Sequence, residues 1–406
     1  MPDDILALLR SAFPEALGAL IAASVLALIG WSWRRIRRQR QESSKAHPPV
    51  ELVKITRGKL NTLHEMSRDC PVCLVGGVYW DITVGPIGTT KLEENEWSNA
   101  DAVEYDIGGS ALWVGRFLWK KQQKSYLFSA IGNGDDPHTV RFLELFENER
   151  WPLNRLAFGR PGDKTAITVH LLIQSRRRFR TMITYSGALS GFGWNSIAQQ
   201  LNEKLTYGGV LYISGYFKTC LWQSLVGSLA ALPRNTLVCI DHGRLVRKLE
   251  QGAAVRAIRD AFKARLVDLY FCTHNEIFDL FEVSRIRRLW LSWGRVQRIL
   301  QELASRGELP LITLVRGGDI SGKTKAYAIV GKSVYTLEGS IGPIYNHKTV
   351  SPTNEFNASM MYHLIHDPRF QELEEQVIEA GNKALEEMGL STQSKDELEE
   401  KNSGNH

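Results

Sequence analysis

Between residues 209 and 315, short apolar runs alternate with amphipathic stretches, and this alternation limits the folds open to the chain more than any other feature. Gly209–Ser214, Thr236–Asp241, Leu266–Thr273 and Leu309–Val315 have the length and composition of buried strands. Helical periodicity fills the gaps at Thr219–Leu232, Ala253–Lys263, Glu276–Phe281 and Trp293–Ser305. Strands joined by helices cannot be hairpins. They predict a largely parallel sheet covered on both faces. The first half extends the pattern with strands at Pro71–Val84, Ser125–Ile131, Thr165–Gln174 and Arg180–Tyr185, and helices at Gly108–Lys121 and Asp136–Asn148. Tyr327–Val330 and Ser333–Thr336 form a hairpin around Gly331-Lys332, and Thr353–Ile365 is a helix with Pro352 at or just before its first position.

Residues 16–33, ALGALIAASVLALIGWSW, carry no charge, and five arginines follow within residues 34–40. Eighteen helical residues span about 27 Å, close to the thickness of a hydrocarbon core. Trp31 and Trp33 fall where an aromatic belt lies. A cleaved signal peptide places its basic residues before the apolar run, the reverse of the order here. The expectation is a single-pass anchor, with residues 1–15 outside and the rest in the cytoplasm, as in a bacterial inner membrane. Residues 34–65 then read as a basic juxtamembrane segment and linker, 66–366 as the globular domain, and 367–406 as an acidic helix with a disordered tail.

Net charge is +6, but residues 1–60 hold ten basic against five acidic residues, leaving 40 basic against 39 acidic elsewhere. A nearly neutral domain lacks the basic field that nucleic acid requires. The basic run Arg176–Arg178 with Arg180 is a solvated hairpin tip. Five dispersed cysteines fit a reducing compartment, and Cys70-Pro-Val-Cys73 reads as a strand entrance with buried thiols. No second ligand pair stands near it to complete a zinc site, and no metal ligand set is assigned. The amphipathic helix Phe370–Met388 lies on the domain surface, with docking of a protein partner as the less favoured reading.

Eight stretches, in order, resemble the ribokinase/PfkB family of carbohydrate kinases: LVGGVYWD (74–81), IGGSALWVGRFL (107–118), AIGNGDD (130–136), Thr165–Val169, Asp241, HNE (274–276), ITLVRGG (312–318) and SPTNEFNAS (351–359). The resemblance implies a ribokinase-like α/β three-layer sandwich, with a mostly parallel central sheet and a small β lid from residues about 82–107 and 165–186. It implies ATP and Mg²⁺ as cofactors and a sugar or nucleoside as substrate. Asp81, Gly108, Gly109 and Trp113 fall on the sugar side. Asn275, Gly318, Ser351, Pro352 and Thr353 fall on the nucleotide side.

The departures from the family pattern bear on catalysis. The family's Gly-Ala-Gly-Asp falls on Ser351, Pro352, Thr353 and Asn354, so the catalytic base position holds a neutral amide that cannot take a proton. A register three residues on places Asn357 there instead, and a one-residue slip recruits Glu355. Pro352 has no N–H to offer a phosphoryl oxygen. Phe278 stands where a carboxylate organises the Mg²⁺ shell, Val315 replaces a glycine, and Trp113 replaces an asparagine and would fill part of a sugar pocket. Three functions stay open: a membrane-anchored pseudokinase that binds a sugar, nucleoside or nucleotide and acts as a sensor or partner-binding module; an active kinase using Glu355 or a water as base; and a scaffold without ligand.

Overall fold

The computed structural model describes residues 50–87, 100–148, 156–158, 163–173, 179–215, 219–243, 251–283, 293–318, 324–337, 352–367 and 372–403. The chain divides into two units, Met1–Pro49 and Val50–His406, and all described residues belong to the second. The segments 1–15, 16–33 and 34–49 and the tip Arg176–Arg178 lie outside the described residues. Among the described residues, no helix is long and apolar enough to cross a membrane.

Nine strands form the central sheet: β1 (Val72–Val75), β4 (Ser125–Ile131), β5 (Leu156–Phe158), β8 (Gly209–Ile213), β9 (Thr236–Asp241), β10 (Leu269–Thr273), β11 (Ile312–Gly318), β12 (Thr324–Val330) and β13 (Ser333–Thr336). Their order is β13-β12-β11-β10-β9-β8-β1-β4-β5, parallel from β5 to β11 and antiparallel in the last two. Because side chains alternate, each strand feeds two cores. Val72, Leu74, Val210, Tyr212, Leu237 and Cys239 enter one, while Cys73, Val75, Leu211, Ile213, Val238 and Ile240 enter the other.

The first core is closed by α1 (Val50–Met66), α2 (Ser110–Lys120), α3 (Pro137–Asn148), α9 (Pro352–His366) and α10 (Leu373–Ser403). The second is closed by α4 (Ala198–Lys204), α5 (Leu225–Ala230), α6 (Gln251–Lys263), α7 (His274–Leu280) and α8 (Trp293–Ser305). The result is the expected three-layer sandwich. A separate four-stranded sheet, β3-β2-β6-β7, comprises β2 (Tyr79–Ile87), β3 (Val103–Gly108), β6 (Ile167–Ile173) and β7 (Phe179–Tyr185), and is the small lid.

The structure corrects three expectations. From Val50 onward the expected linker is a 17-residue helix with Leu60 and Leu63 buried. The helix is pinned by Lys59, whose Nζ lies 2.7 Å from Asp268, and by Thr56, whose hydroxyl donates to the same carboxylate at 3.3 Å. At the other end of the chain, the expected disordered tail is helical as far as Ser403, and the first half of α10 is no mere surface helix. Leu373, Val377, Ala380, Ala384, Leu385 and Met388 are buried in the domain's own core. Finally, only Leu225–Ala230 of the expected helix 219–232 is α-helical. Ser224 is left-handed at φ 61°, and residues 220–221 are held instead by Phe192 and Trp194: Cys220 N–H donates to the Phe192 carbonyl and the Trp194 indole N–H to that of Leu221. Cys70 and Cys73 are buried thiols in no disulfide, as expected, and burial alone pushes Cys70 up to about 12.

Candidate functional site at the carboxyl edge of the sheet

Parallel strands end on one edge, and their carboxyl ends are where an open α/β sheet can present loops and helix N-termini to a ligand. At this edge the backbones are packed with almost no side chain between them. A Cβ on Gly109, whose φ is 119°, would lie 2.2 Å from the Gly77 carbonyl oxygen. One on Gly76 would lie 2.6 Å from the Ser214 hydroxyl, and ones on Gly215 and Gly243 would touch Gly77 and Gly215 in turn. Glycine is therefore required where α2 meets the turn after β1. These contacts tie the ends of β1, β8 and β9 to the start of α2.

Asp81 stands at one end of this row. It lies in lid strand β2, not at the close of β1 as the sequence suggested, because the Gly76-Gly77 turn ends β1 at Val75. A Cβ on Gly108 would sit 1.9 Å from the Asp81 carboxylate, so that glycine makes room for it. His170 Nε2 lies 3.5 Å from Asp81 Oδ2. Asp106 is the direct cross-strand neighbour of Asp81, with Thr168 on the other side. His170 was missed in the sequence because nothing local marks it; strand register alone brings it to Asp81. Trp113 is half-buried on α2 with the Arg116 guanidinium 4.5 Å from its ring centre.

The turn before α3 is built around Asp136. Its Oδ2 accepts from the Thr165 N–H at 2.9 Å, the Thr139 hydroxyl at 3.1 Å and the Thr139 N–H at 3.3 Å. Burial works to raise this carboxyl, but the donors from Thr165 and Thr139 outweigh it and hold it below its ordinary value.

The other end of the edge is a buried polar cluster. Tyr212, Asp241 and Arg316 project from β8, β9 and β11 to the α9 side of the sheet, since they share the parity of Val210, Cys239 and Leu314. The Tyr212 hydroxyl donates to Asp241 at 3.0 Å and accepts from Asn357 of α9 at 3.0 Å. The Arg316 guanidinium lies 5.6 Å from the Phe356 ring centre. Burial raises Asp241, with Arg316 and Tyr212 opposing. Glu276 is lifted by burial to about 7, although its carboxylate caps α7 by accepting from Thr273 N–H at 2.6 Å. That capping box is legible in T-H-N-E, Thr273 to Glu276; the burial that shifts Glu276 is not.

Asn354 lies in the first turn of α9, 5% exposed, and its amide oxygen has no hydrogen-bond donor. The Asn357 amide oxygen one turn on is likewise buried without a donor. Glu355 is half-buried beside them. Pro352 opens the helix as expected, and Ser351 lies outside the described residues. Asn275 is exposed in the first turn of α7, whereas Phe278 is fully buried in the second core. Gly318 ends β11 opposite Thr324. Among the described residues, no three His, Cys, Asp or Glu side chains gather as a metal site.

Strand order, lid and carboxyl-edge site together decide the architecture. This is a ribokinase-like fold. Solved structures matching it include 2-dehydro-3-deoxygluconokinase from Thermotoga maritima (14% identity, TM-score 0.59, covering 79% of this chain and 92% of that one). A PfkB family carbohydrate kinase from Listeria grayi matches at 15% identity, TM-score 0.56, over 78% and 92%. A ribokinase from Cryptococcus neoformans in complex with ADP matches at 13% identity, TM-score 0.56, over 79% and 91%. No protein-family model and no curated protein sequence matches the chain. The ribokinase-like domain is thus established by its fold.

Proposed function

We propose that this chain is a membrane-anchored ribokinase-like pseudokinase that binds a sugar, nucleoside or nucleotide at the carboxyl edge of its sheet and passes the bound state to a partner. Asn354 carries the reading. At the position that the resemblance assigns to the catalytic base stands a buried amide, and an amide has no basicity to take up a hydroxyl proton. Loss of a general base costs on the order of 10²–10⁴ in rate. The residues present do not fit Mg²⁺ in the way the resemblance requires, because Phe278 is packed in the core and Glu276 is committed to its cap. ATP, or another nucleotide, remains a ligand of the proposal, with Asn275 and Gly318 on its side of the cleft. Asp81, Gly108, Gly109 and Trp113 form the sugar side.

The anchoring part of the proposal is supported by the charge-free residues 16–33 and the arginines behind them, an order that favours the cytoplasmic side for the ribokinase-like domain. A protein partner would meet the outward side of the C-terminal helix α10, since its apolar stripe is spent in the core. The test is a thermal-shift panel on the full chain with sugars, nucleosides and ATP, with and without Mg²⁺, beside an assay for phosphorylated product. Stabilisation without product supports the proposal. Product formed by the unaltered chain and abolished in Glu355→Gln would replace it with the second reading, an active kinase using Glu355. No stabilisation by any ligand would leave a scaffold.

A further inference from the structure

Strands β10, β9, β8, β1 and β4 are neighbours and parallel, so the chain enters all five from the amino edge, opposite the site described above. Every one of these entrances carries a cation. Lys263 and Arg265 precede β10, Arg234 precedes β9, Lys204 precedes β8, Arg68 precedes β1, and Lys120 and Lys124 precede β4. Lys263 lies 3.9 Å from Asp260, and among the described residues the other six have no ion pair. Asp268 is already taken by Lys59 at 2.7 Å, which leaves Asp69 and Glu203 as the exposed acids along the row. Helix C-termini attract cations, and this accounts for Lys120, Lys204 and Lys263, each the last residue of its helix. Arg265 holds the Gly307 and Leu309 carbonyls. Lys124 and Arg234 have no such role, and Arg68 donates at 3.4 Å to Gln122, an exposed side chain at the next entrance. Two aromatic side chains stand in the same row, Trp119 at 39% exposed and Tyr207 at 83%.

We propose that this amino edge docks the domain on an anionic lipid surface. The proposal rests on the anchor reading above only for bringing a bilayer within reach; the face itself belongs to the folded domain. Strands about 4.8 Å apart make the row about 19 Å long. Attraction to an anionic surface fades within a Debye length, about 8 Å at physiological salt, so cations gathered on one edge act where the same number spread over the domain would not. The opposite edge carries Asp81, Asp136, Asp241 and Glu276. With charge nearly balanced over the whole domain, this split makes it a dipole rather than a uniformly basic body. Nucleic acid calls for a basic domain, whereas exposed Trp and Tyr among cations suit the headgroup layer of a membrane. Docked in this way, the domain turns its carboxyl edge, and the ligand site proposed there, toward solution.

The experiment is lysine footprinting of the full chain in lipid nanodiscs, with a water-soluble acetylating reagent and mass spectrometry of the labelled peptides. One set of discs is phosphatidylcholine, and the other contains about one third phosphatidylglycerol. Acetylation of Lys120, Lys124 and Lys204 should slow by at least about 5-fold in the anionic discs and recover in about 0.5 M salt. Lys164, 54% exposed beside Asp136 at the carboxyl edge, should react equally in both. Arg68→Glu with Arg234→Glu should abolish the protection, since two charge reversals lower the docking constant by more than about 100-fold. Both side chains are exposed, so circular dichroism should not change. Should that pair misfold, Arg68→Gln with Arg234→Gln should reduce the protection in the same direction. The arginines of residues 34–40 are present in every arm and cannot cause the difference. Equal labelling in the two kinds of disc overturns the proposal. So does protection that survives in both folded variants, or that covers Lys164 as strongly as Lys120. Protection by single-stranded RNA in phosphatidylcholine discs, with none from phosphatidylglycerol, assigns the edge to nucleic acid and also overturns it. A chain that does not co-elute with discs refutes the anchor reading instead; the same footprint is then read with phosphatidylglycerol vesicles added, where absence of protection overturns the docking face.

Discussion

Lys59 and Asp268 are 209 positions apart in sequence and 2.7 Å apart in space, with side chains 14% and 5% exposed. The Asp268 carboxylate also accepts from the Val238 N–H at 2.9 Å, so one buried group joins α1, β9 and the entrance to β10. Removing the cation leaves that carboxylate buried with too few donors. Lys59→Met should cost about 3–5 kcal/mol of stability, measurable by urea denaturation, whereas exposed Lys54→Met should cost less than about 0.5 kcal/mol.

Gly109 offers a sharper backbone test. Alanine there meets both an unfavourable φ and the Gly77 carbonyl, so Gly109→Ala should destabilise by roughly 2–4 kcal/mol. Gly134→Ala, with open space around its Cβ position, should not. Equal melting temperatures for the two variants would show that the α2 entrance is not packed as described.

Docking of α10 should depend on pH in both directions. Burial disfavours the His363 cation, but Glu387 and Asp367 outweigh it and raise the group above its ordinary 6.5. Its contribution is complete below 6.5 and lost as pH rises through the raised value. Glu387 shows the opposite sign. Burial would raise it, yet His363, Lys121 and Ser359 hold it at about 2, so its contribution is complete above about 4.5 and lost as pH falls toward 2. Protection from hydrogen exchange along residues 373–388, taken relative to the intrinsic rate at each pH, should be greatest between about pH 5 and 6.5. His363→Gln should remove the alkaline limb and shift the acid limb upward, since His363 is also one of the groups that hold Glu387 down.

Restoring a carboxylate at residue 354 should not restore a kinase. Asn354→Asp buries an acid where the amide oxygen already has no donor, which raises its folded pKa and lowers stability increasingly as pH rises from 4 to 7. Product formation should stay below detection, because Pro352 still lacks an N–H and Phe278 still stands where the family resemblance would put a carboxylate. A gain of turnover from this change alone would show that the remaining machinery is intact.

Local patterning accounts for what the sequence disclosed. Ser125–Ile131, Thr236–Asp241 and Trp293–Ser305 match to the residue, since each is a run whose period and punctuation agree. α1 was overlooked because Pro48-Pro49 and its polar residues resemble a linker, although Leu52, Thr56, Leu60 and Leu63 repeat at helical spacing. Helix 219–232 was overextended because no periodic signal records that Trp194 holds the carbonyl of Leu221. The site divides along the same line. Gly108, Gly109, Asp81 and Asn354 stand in motifs, whereas His170, Arg316 and the Tyr212–Asp241–Asn357 chain are brought together by register and crossover, which one-dimensional spacing does not encode.

The seating of α1 also has a mechanical meaning. Tension applied at residue 50 enters the fold through α1 and is borne in shear by Leu60, Leu63 and the Lys59–Asp268 pair. Asp268 immediately precedes β10, so the load arrives at the amino edge of the sheet, while Asp81, Asp241 and Asn354 lie along the carboxyl edge. A tug on the leading end of the domain is therefore resisted by a helix clamp before it reaches any strand that shapes the cleft.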